Sequence, residues 1–354
     1  MKKIIFITNN LNAGGAEKQI WFLSKYLKKN NKITVITLTD LNHKDFYKLD
    51  KNIERIQLQN NITKKNIFYN LIKLFLLIIE LRNILKLHKP DTIISFLTFA
   101  NLITILAGFN LGIKKIISER TDLNYIKIPI KYKILSFLIY RFADLLVVQS
   151  KIIKNYFINH NVNIKVIYNI ISNNGNLVKK NNFNFLNISR LSPEKNVQFI
   201  LSVVKQLHIL DRRINLSIIG DGPLKKNLKN YVKKNQLSKA VKFIGIKRNT
   251  TYYFRNTKFY INASFAEGMP NAVFEAMSHG LTCFIININN NFHELLKHNK
   301  NCFVLSNKNS DKIAFEIFNK IKKKKTIQII NKNSKKLINQ LNILNIGKSW
   351  EKII

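Results

Sequence analysis

Short apolar runs alternate with segments of helical spacing along almost the whole chain, and this alternation restricts the fold more than any other feature. Ile4-Ile-Phe-Ile-Thr8 reads as a buried strand. The loop Asn9-Asn-Leu-Asn-Ala-Gly-Gly-Ala-Glu17 follows, then an amphipathic helix through Ile20, Leu23 and Leu27, then a second strand at Ile33–Leu38. Strand, glycine loop, helix and strand in this order open a doubly wound α/β domain. Further strands are predicted at Thr92–Phe96, Lys115–Ser118, Leu145–Val148 and Ile164–Ile167. The texture then changes: Ser172 to Asn182 is polar and has no apolar period, the character of a linker. A second series follows, with strands at Phe185–Ser189, Leu216–Gly220, Val241–Gly245, Phe259–Asn262 and Leu281–Ile286, and a helix from about Val197 to Leu210. Ile343–Ile354, with Trp350, forms a last amphipathic helix. The predicted fold class is α/β, with residues 1–172 and 184–336 as two Rossmann-like doubly wound domains facing across a cleft and 173–183 as the linker between them. A length of 354 residues suits two cores better than one.

Charge narrows the function less than it first suggests. Fifty-nine basic residues against nineteen acidic ones give a net charge of +40. Nucleic-acid binding, an anionic membrane surface and compositional drift compete to explain it. Each Lys or Arg near such a membrane contributes roughly 1 kcal/mol. Runs such as Lys322–Lys325 carry charge where no chemistry asks for it, so drift is the main account, with membrane attraction contributing. Nucleic acid is not an expected partner, because no basic run is interleaved with aromatics in a recognisable module. Cys283 and Cys302 offer neither a disulfide framework nor metal spacing, and the seven histidines show no paired ligand spacing. No metal and no cofactor are expected, and Asp-x-Asp does not occur. Met1–Ile7 is too short for a signal peptide, and Cys283 in its apolar run reads as a buried thiol in a reducing cytoplasm, the expected location. Ile67–Leu87 is the strongest membrane candidate, but its apolar core falls well short of the ~20 residues a span needs. It reads as an amphipathic helix, either covering its domain or lying in a membrane interface.

The chemistry gathers in Ser264-Phe-Ala-Glu-Gly-Met-Pro-Asn-Ala-Val-Phe-Glu-Ala-Met-Ser-His-Gly280. Pro270 suits the first turn of a helix, and Gly280 can end it in a left-handed conformation. Glu267 then falls in the loop and Glu275 more than one turn into the helix. The helix's free N–H groups form an anion site beside a carboxylate that can accept hydroxyls, which suits a sugar nucleotide. By spacing alone, two glutamates flanking an ordinary helix would be the plainer reading. Arg190 and Lys195, in Ile188-Ser-Arg-Leu-Ser-Pro-Glu-Lys-Asn196, add two cations just beyond a strand. Arg offers a planar fork to phosphate oxygens and Lys a mobile point charge, so with the glutamate stretch they read as a diphosphate cradle. Two other stretches are set aside. Gly347-Lys-Ser349 lacks the earlier glycine of a phosphate-binding loop, and Gly220-Asp-Gly-Pro-Leu-Lys225 reads as a turn before a helix.

Taken in order, Asn12-Ala-Gly-Gly-Ala-Glu-Lys18, Ser189–Asn196, Ile219-Gly-Asp-Gly-Pro223 and Glu267–Met277 make the chain resemble the retaining glycosyltransferases of family 4. Ser95–Thr98, Ser118-Glu-Arg120 and Val147–Ser150 are similar to the subgroup that builds bacterial surface polysaccharides, lipopolysaccharide cores and lipid-linked oligosaccharides. The resemblance implies the GT-B fold, with residues 337–354 as a helix returning to the N-terminal domain. It implies that Arg190 and Lys195 hold the diphosphate, a charge-stabilising role worth ~3–4 kcal/mol for one donor. It implies that Glu275 accepts the ribose hydroxyls and Glu267 contacts the transferred sugar. The backbone of Gly268, Met269, Pro270, Asn271 and Ala272 would touch sugar and phosphate, Ile246 would take the base, and Gly15 would approach the donor. Gly14, Ser118 and Glu119 would lie on the acceptor side.

Three positions depart from the family pattern. Asn290–His293 stands where a Gly-Gly pair is common before Glu294, Ile170 replaces a usual proline, and Thr282 stands where proline is favoured. The expected function is transfer of a hexose or N-acetylhexosamine from a nucleotide sugar, UDP-linked in the first instance, to a lipid-linked or surface-polysaccharide acceptor. The setting would be peripheral on the inner face of the cell membrane. A GT-B sugar-nucleotide epimerase and a basic nucleic-acid-binding protein are the alternatives.

Overall fold

The computed structural model describes residues 1–39, 45–58, 67–120, 129–172, 183–265, 267–287 and 293–354, without the side chains of 67–69. Nearly all of the expected linker, and Asn290–Phe292 of the departing loop, lie outside these residues. The chain divides into two compact units, one of residues 1–170 with 343–354 and one of residues 171–342.

Unit 1 is built from β1 (Lys2–Thr8), α1 (Gly15–Leu27), β2 (Asn31–Thr37), β3 (Glu54–Gln57), α2 (Ile67–His88), β4 (Thr92–Phe96), α3 (Thr98–Ala107), β5 (Lys114–Glu119), α4 (Ile130–Ile139), β6 (Leu145–Val148), α5 (Lys151–Phe157) and β7 (Ile164–Val166). Its strands form one parallel sheet in the order β3-β2-β1-β4-β5-β6-β7. Ile4 to Ile7, Val35, Ile36, Ile93, Ile94, Ile116 and Ile117 are all at most 2% exposed, as a sheet covered by helices on both faces requires. Two strands mark the limits of the apolar-run criterion. β3 was not expected, because Glu-Arg-Ile-Gln at a sheet edge carries one apolar residue and pairs on one side only. In unit 2, the three-residue strand Phe303–Leu305 was also not expected.

Unit 2 contains β8 (Asn184–Ile188), α6 (Val197–Leu210), β9 (Asn215–Ile219), α7 (Lys225–Lys234), β10 (Val241–Gly245), α8 (Thr251–Arg255), β11 (Phe259–Asn262), α9 (Asn271–Ser278), β12 (Thr282–Ile286), β13 (Phe303–Leu305), α10 (Ser310–Ile321) and α11 (Lys324–Gln340). The sheet is parallel in the order β10-β9-β8-β11-β12-β13. This is the doubly wound order whose direction reverses between β8 and β11, and ligands bind outside the carboxyl ends of the strands at that switch point.

The last helix, α12 (Ile343–Glu351), belongs to unit 1. Gly347 sits against the ring of Tyr26 on α1, where an added Cβ would come within 2.5 Å of it. Tyr26 donates its hydroxyl to Glu351 at 3.1 Å, and Lys2 Nζ donates to the Ile354 carbonyl at 3.0 Å. Trp350 is 1% exposed and stacks on Phe96 with ring centroids 6.0 Å apart. The Gly-Lys-Ser set aside above is therefore part of a packing helix, its glycine chosen for close approach.

Two departures from the family pattern acquire a physical reason. Ile170 donates its backbone N–H to Gln19 Oε1 at 2.7 Å, and Gln19 returns a bond to the Ile170 carbonyl at 3.1 Å. Thr282 donates its N–H to the Lys258 carbonyl at 3.1 Å and its hydroxyl to Asn331 at 3.0 Å. Proline has no N–H and could form neither backbone bond.

Candidate active site

The two loops at the β8/β11 switch point carry Arg190 with Lys195 and Glu267 with Gly268, so topology alone brings these residues to one edge. The first loop leaves β8 at Ser189 and tightens into a single 3₁₀ turn, Pro193–Lys195. Asn196 then takes a left-handed conformation, φ 48°, which Asn tolerates better than most residues, and α6 begins. The second loop runs from β11 into α9. One backbone bond ties the two together: Phe265 N–H donates to the Glu194 carbonyl at 2.9 Å. Beside it, Lys195 Nζ donates to Glu267 Oε1 at 2.6 Å, with 19% and 25% of the two side chains exposed. The expected phosphate ligand and the expected sugar contact thus form one ion pair. Arg190 is exposed at the start of the first loop.

Gly220–Pro223 proves to be the buttress of that loop. Ser189 N–H donates to the Ile219 carbonyl at 3.1 Å, Leu191 N–H to Asp221 at 2.9 Å, and Leu224 N–H to Leu191 at 2.9 Å. Arg190 is therefore held between two pinned neighbours. A Cβ on Gly220 would lie 1.9 Å from the Ser189 carbonyl oxygen, and one on Gly222 would lie 2.5 Å from that of Leu191. Both contacts are with backbone, which cannot swing aside. The next loop joins the same row, since Gly220 N–H donates to the Gly245 carbonyl at 3.0 Å. Ile246 follows directly and is 59% exposed, an apolar surface at the carboxyl end of β10.

Helix α9 starts one residue later than the proline rule suggests. Pro270 has ψ 78°, which is not helical, so it stands just before the helix and Asn271 is the first helical residue. No side chain caps this end. The other end is as expected. Gly280 has φ 74°, its N–H donates to Met277 at 2.9 Å, and Leu281 N–H donates to Ala276 at 3.0 Å, the paired bonds of a Schellman cap. Gly268, Met269 and Pro270 are buried, whereas Asn271, Ala272 and Glu275 are partly exposed at the first turns of α9. His279 fixes the helix laterally. Its ring lies 2.9 Å from the Glu275 carbonyl through Nδ1 and stacks 4.6 Å from Phe254 of α8. Beneath both glutamates lies Tyr260, fully buried on β11. Its hydroxyl donates to the Ile188 carbonyl at 3.1 Å and accepts from Ile188 N–H at 3.3 Å. Burial above all pushes its phenol well above the ordinary 10.0, and the charges of Cys283, Glu267 and Glu275 add to the rise.

Unit 1 has its own switch point, between β1 and β4. Gly14 there has extended backbone before α1, and Gly15 is the helix's first residue. The carboxyl group of Glu17 folds back over Gly14, in the space a Cβ would occupy. Burial raises the Glu17 pKa, opposed by its own backbone N–H. Leu97, directly after β4, has φ 78° and ψ 147°, a region that is nearly glycine's alone. Nothing in the sequence signalled this strain.

Ser118 and Glu119, expected on the acceptor side, are both 0% exposed. Ser118 Oγ donates to the Val147 carbonyl at 3.2 Å. Glu119 Oε1 accepts from the Tyr140 hydroxyl and, at 3.1 Å, from Asn101 Nδ2. Asn101 in turn accepts from Ser95 Oγ at 2.7 Å. These groups tie β4, α3, β5 and the turn after α4 together within the core. Desolvation raises the Glu119 carboxyl to about 7, against the lowering effects of Tyr140, Thr98, Asn101 and Arg120. Arg120 lies 5.1 Å from the Phe96 ring and 5.8 Å from that of Trp350, and burial lowers it to about 9. Among the described residues, no three His, Cys, Asp or Glu side chains are grouped to hold a metal ion. Cys283 and Cys302 are free and buried, their thiols raised chiefly by desolvation, so neither is a nucleophile.

Two family descriptions match the chain in succession: "Glycosyltransferase Family 4" over residues 13–173 and "Glycosyl transferases group 1" over residues 171–337. Among curated relatives, the chain is 29% identical over 306 residues to the GalNAc-alpha-(1->4)-GalNAc-alpha-(1->3)-diNAcBac-PP-undecaprenol alpha-1,4-N-acetyl-D-galactosaminyltransferase of Campylobacter jejuni, covering 84% of this chain and 83% of the relative. It is 27% identical to the UDP-Gal:alpha-D-GlcNAc-diphosphoundecaprenol alpha-1,3-galactosyltransferase of Escherichia coli over 47% of this chain and 44% of that one. Among solved structures, Anabaena HepE in complex with UDP and glucose superposes with a TM-score of 0.84 at 21% identity, over 100% of this chain and 99% of the other. The epimerase and nucleic-acid readings are not favoured by these relatives. Two Rossmann-like units in tandem, each matched by its own family description, establish that the chain belongs to family 4 of the glycosyltransferases and has the GT-B fold.

Proposed function

We propose that the chain is a retaining, metal-independent glycosyltransferase that moves a hexose or N-acetylhexosamine from a UDP-sugar to a saccharide carried on a lipid diphosphate. The observation that carries this reading is the Lys195–Glu267 pair at the unit 2 switch point, set beside Arg190 and the uncapped end of α9. Arg190, Lys195 and the first N–H groups of α9 supply positive potential where a diphosphate would gain charge as it leaves. Glu275, one turn into α9, is placed for ribose hydroxyls, and Ile246 offers its apolar side chain to the base. Glu267 lies between the cation and the sugar.

In the reaction, the bond from sugar C1 to the β-phosphate oxygen breaks and UDP takes the electron pair. The acceptor hydroxyl oxygen then bonds to C1 from the same face, its proton passing to the departing phosphate, so the configuration at C1 is retained. Arg190 and Lys195 favour this step by stabilising UDP as it forms. Glu267 positions the sugar and stabilises positive charge at C1, without needing to bond to it.

The relatives support the substrate classes by what their names state. The Campylobacter and Escherichia proteins are named for acceptors on undecaprenyl diphosphate, and the Escherichia protein for a UDP-galactose donor. Among the described residues no helix is long and apolar enough to cross a membrane, which fits the proposed peripheral attachment at the inner face of the cell membrane. A panel of UDP-, GDP- and ADP-sugars, scored for hydrolysis and thermal shift, tests the reading. UDP-sugars should raise the melting temperature and be hydrolysed slowly. If no nucleoside diphosphate shifts the transition, the site assignment fails.

A further inference from the structure

We infer that the outward stripe of α4, extended by the C-terminal ends of α3 and α4, is the surface that docks on an anionic lipid bilayer. The inference rests on the reading that the acceptor is lipid-borne, and it assigns the docking to an element that sequence reasoning passed over. α4 is apolar on its outward face as well as its inward one, unlike an ordinary surface helix. Its inward stripe is Tyr132, Ser136, Ile139 and, in the following turn, Tyr140. Of these, Ser136 and Tyr140 are buried and Tyr132 and Ile139 pack on the unit 1 core. Its outward stripe, at the same helical spacing, is Ile130, Ile134, Phe137 and Leu138, exposed by 71%, 53%, 51% and 43%. The inward stripe thus carries hydroxyls, while these four outward residues carry only hydrocarbon, with exposed Lys131 beside them.

The patch continues beyond the helix. Phe142, after α4, meets Phe109, after α3, edge to face with ring centroids 5.6 Å apart, and both are nearly half exposed. A contiguous apolar surface of this kind marks a site of association.

Charge selects the occupant. Among the described residues of 98–120 and 129–142 the sole acid is Glu119, which is buried, while Lys131, Lys133 and Arg141 stand on α4 or the turn after it. Lys115 is occupied by Asp144 at 3.3 Å. Hydrocarbon edged by cations that form no ion pair among the described residues suits an interface where acyl chains lie under anionic headgroups. At ten residues α4 is too short to span, so it would lie in the interface plane.

Co-sedimentation of the full chain with phosphatidylcholine vesicles, with and without phosphatidylglycerol, tests the inference. Wild type should pellet with the anionic vesicles, less so as salt rises, and only weakly with phosphatidylcholine alone. The exposed-face variant Ile134→Ser/Phe137→Ser/Leu138→Ser should lower the partition coefficient about tenfold or more. The second variant, Lys131→Glu/Arg141→Glu, should lower it and flatten its salt dependence. Both should keep the wild-type thermal shift with UDP, since every substituted residue belongs to unit 1 and none to the proposed donor loops. The inference is overturned if wild type ignores anionic vesicles or if both variants pellet as wild type does. It is equally overturned if wild type is a dimer in solution that the triple variant converts to monomer, because the patch would then be a protein interface. Loss of the UDP shift in wild type would sink the donor assignment and leave the vesicle result standing, so the two failures are distinguishable.

Discussion

Lys195 and Glu267, seventy-two residues apart, meet through a 2.6 Å contact between Nζ and Oε1. Each engages the group that the other's proposed ligand would contact: the ammonium for a phosphate, the carboxylate for a sugar. On the proposed assignment, a bound diphosphate would share Lys195 with Glu267, and the shared cation would couple phosphate position to sugar position. The Phe265–Glu194 backbone bond holds the two loops in register, so this coupling does not depend on the side chains alone. With a fifth to a quarter of each side chain exposed, the pair's own contribution to folding is small.

Replacing Glu267 with Gln should separate catalysis from stability. The variant keeps an oxygen that can accept from Lys195 but loses the charge. Turnover should fall about a hundredfold or more, while the melting temperature and UDP affinity change little, as expected where an electrostatic group acts mainly on the transition state. Steady-state kinetics beside UDP titration by calorimetry would check it. A variant that loses UDP affinity but keeps its turnover would reverse the roles.

Glu275 and Arg190 should show the opposite pattern. Hydrogen bonds to charged groups are worth about 1.5–3 kcal/mol, so Glu275→Ala or Arg190→Ala should weaken UDP binding by roughly tenfold to a hundredfold. The thermal shift produced by UDP should shrink accordingly, with the ligand-free transition nearly unchanged. An undiminished shift in both variants would remove the diphosphate cradle from this edge.

How much of this was legible follows from what each element is made of. Runs such as Ile33–Leu38 betray themselves because a parallel strand covered on both faces has no polar side. β3 and three-residue β13 escape because one lies polar at an edge and the other is too short to show a period. Arg190, Lys195, Glu267 and Glu275 are candidates that motif alone singles out. The Lys195–Glu267 pairing is not legible that way, because contacts across seventy residues are set by the order of strands and not by local spacing. The burial of Ser118 and Glu119 was not legible, because a resemblance carries a role without its surroundings. Their buried partners, Asn101 and Tyr140, sit in apolar helical segments and were the available signal.

Gly222→Ala should damage donor binding from a distance. The new Cβ would press on the Leu191 carbonyl at 2.5 Å, and Leu191 is next to Arg190. The loop must shift, at a cost of about 1–3 kcal/mol in stability, and Arg190 must shift with it. Gly347→Ala makes a comparable clash with Tyr26 in unit 1. It should lower the melting temperature while leaving UDP affinity intact. Equal losses of UDP affinity in the two variants would mean the buttress has no specific link to the cradle.

The buried Glu119 cluster should give folding stability a characteristic pH dependence. Desolvation lifts the carboxyl from its ordinary 4.5 to about 7, outweighing the Tyr140, Thr98 and Asn101 bonds and the Arg120 charge. The folded chain therefore keeps this proton to higher pH than the unfolded chain does. Below 4.5 both states hold it and above about 7 both release it, so neither limit contributes a slope. Between them the folded state binds more protons, and stability must fall as pH rises, by an amount on the order of 3 kcal/mol for this group. Glu17 is also raised by burial and adds to the fall, whereas His160 is lowered by burial and opposes it. Glu119→Gln removes the titration while its amide oxygen can still accept from Tyr140 and Asn101. Urea unfolding followed from pH 5 to pH 8 should show the variant losing less stability than wild type across that window. Parallel curves for the two proteins would mean that Glu119 stays charged throughout, held by Arg120 more strongly than burial opposes it.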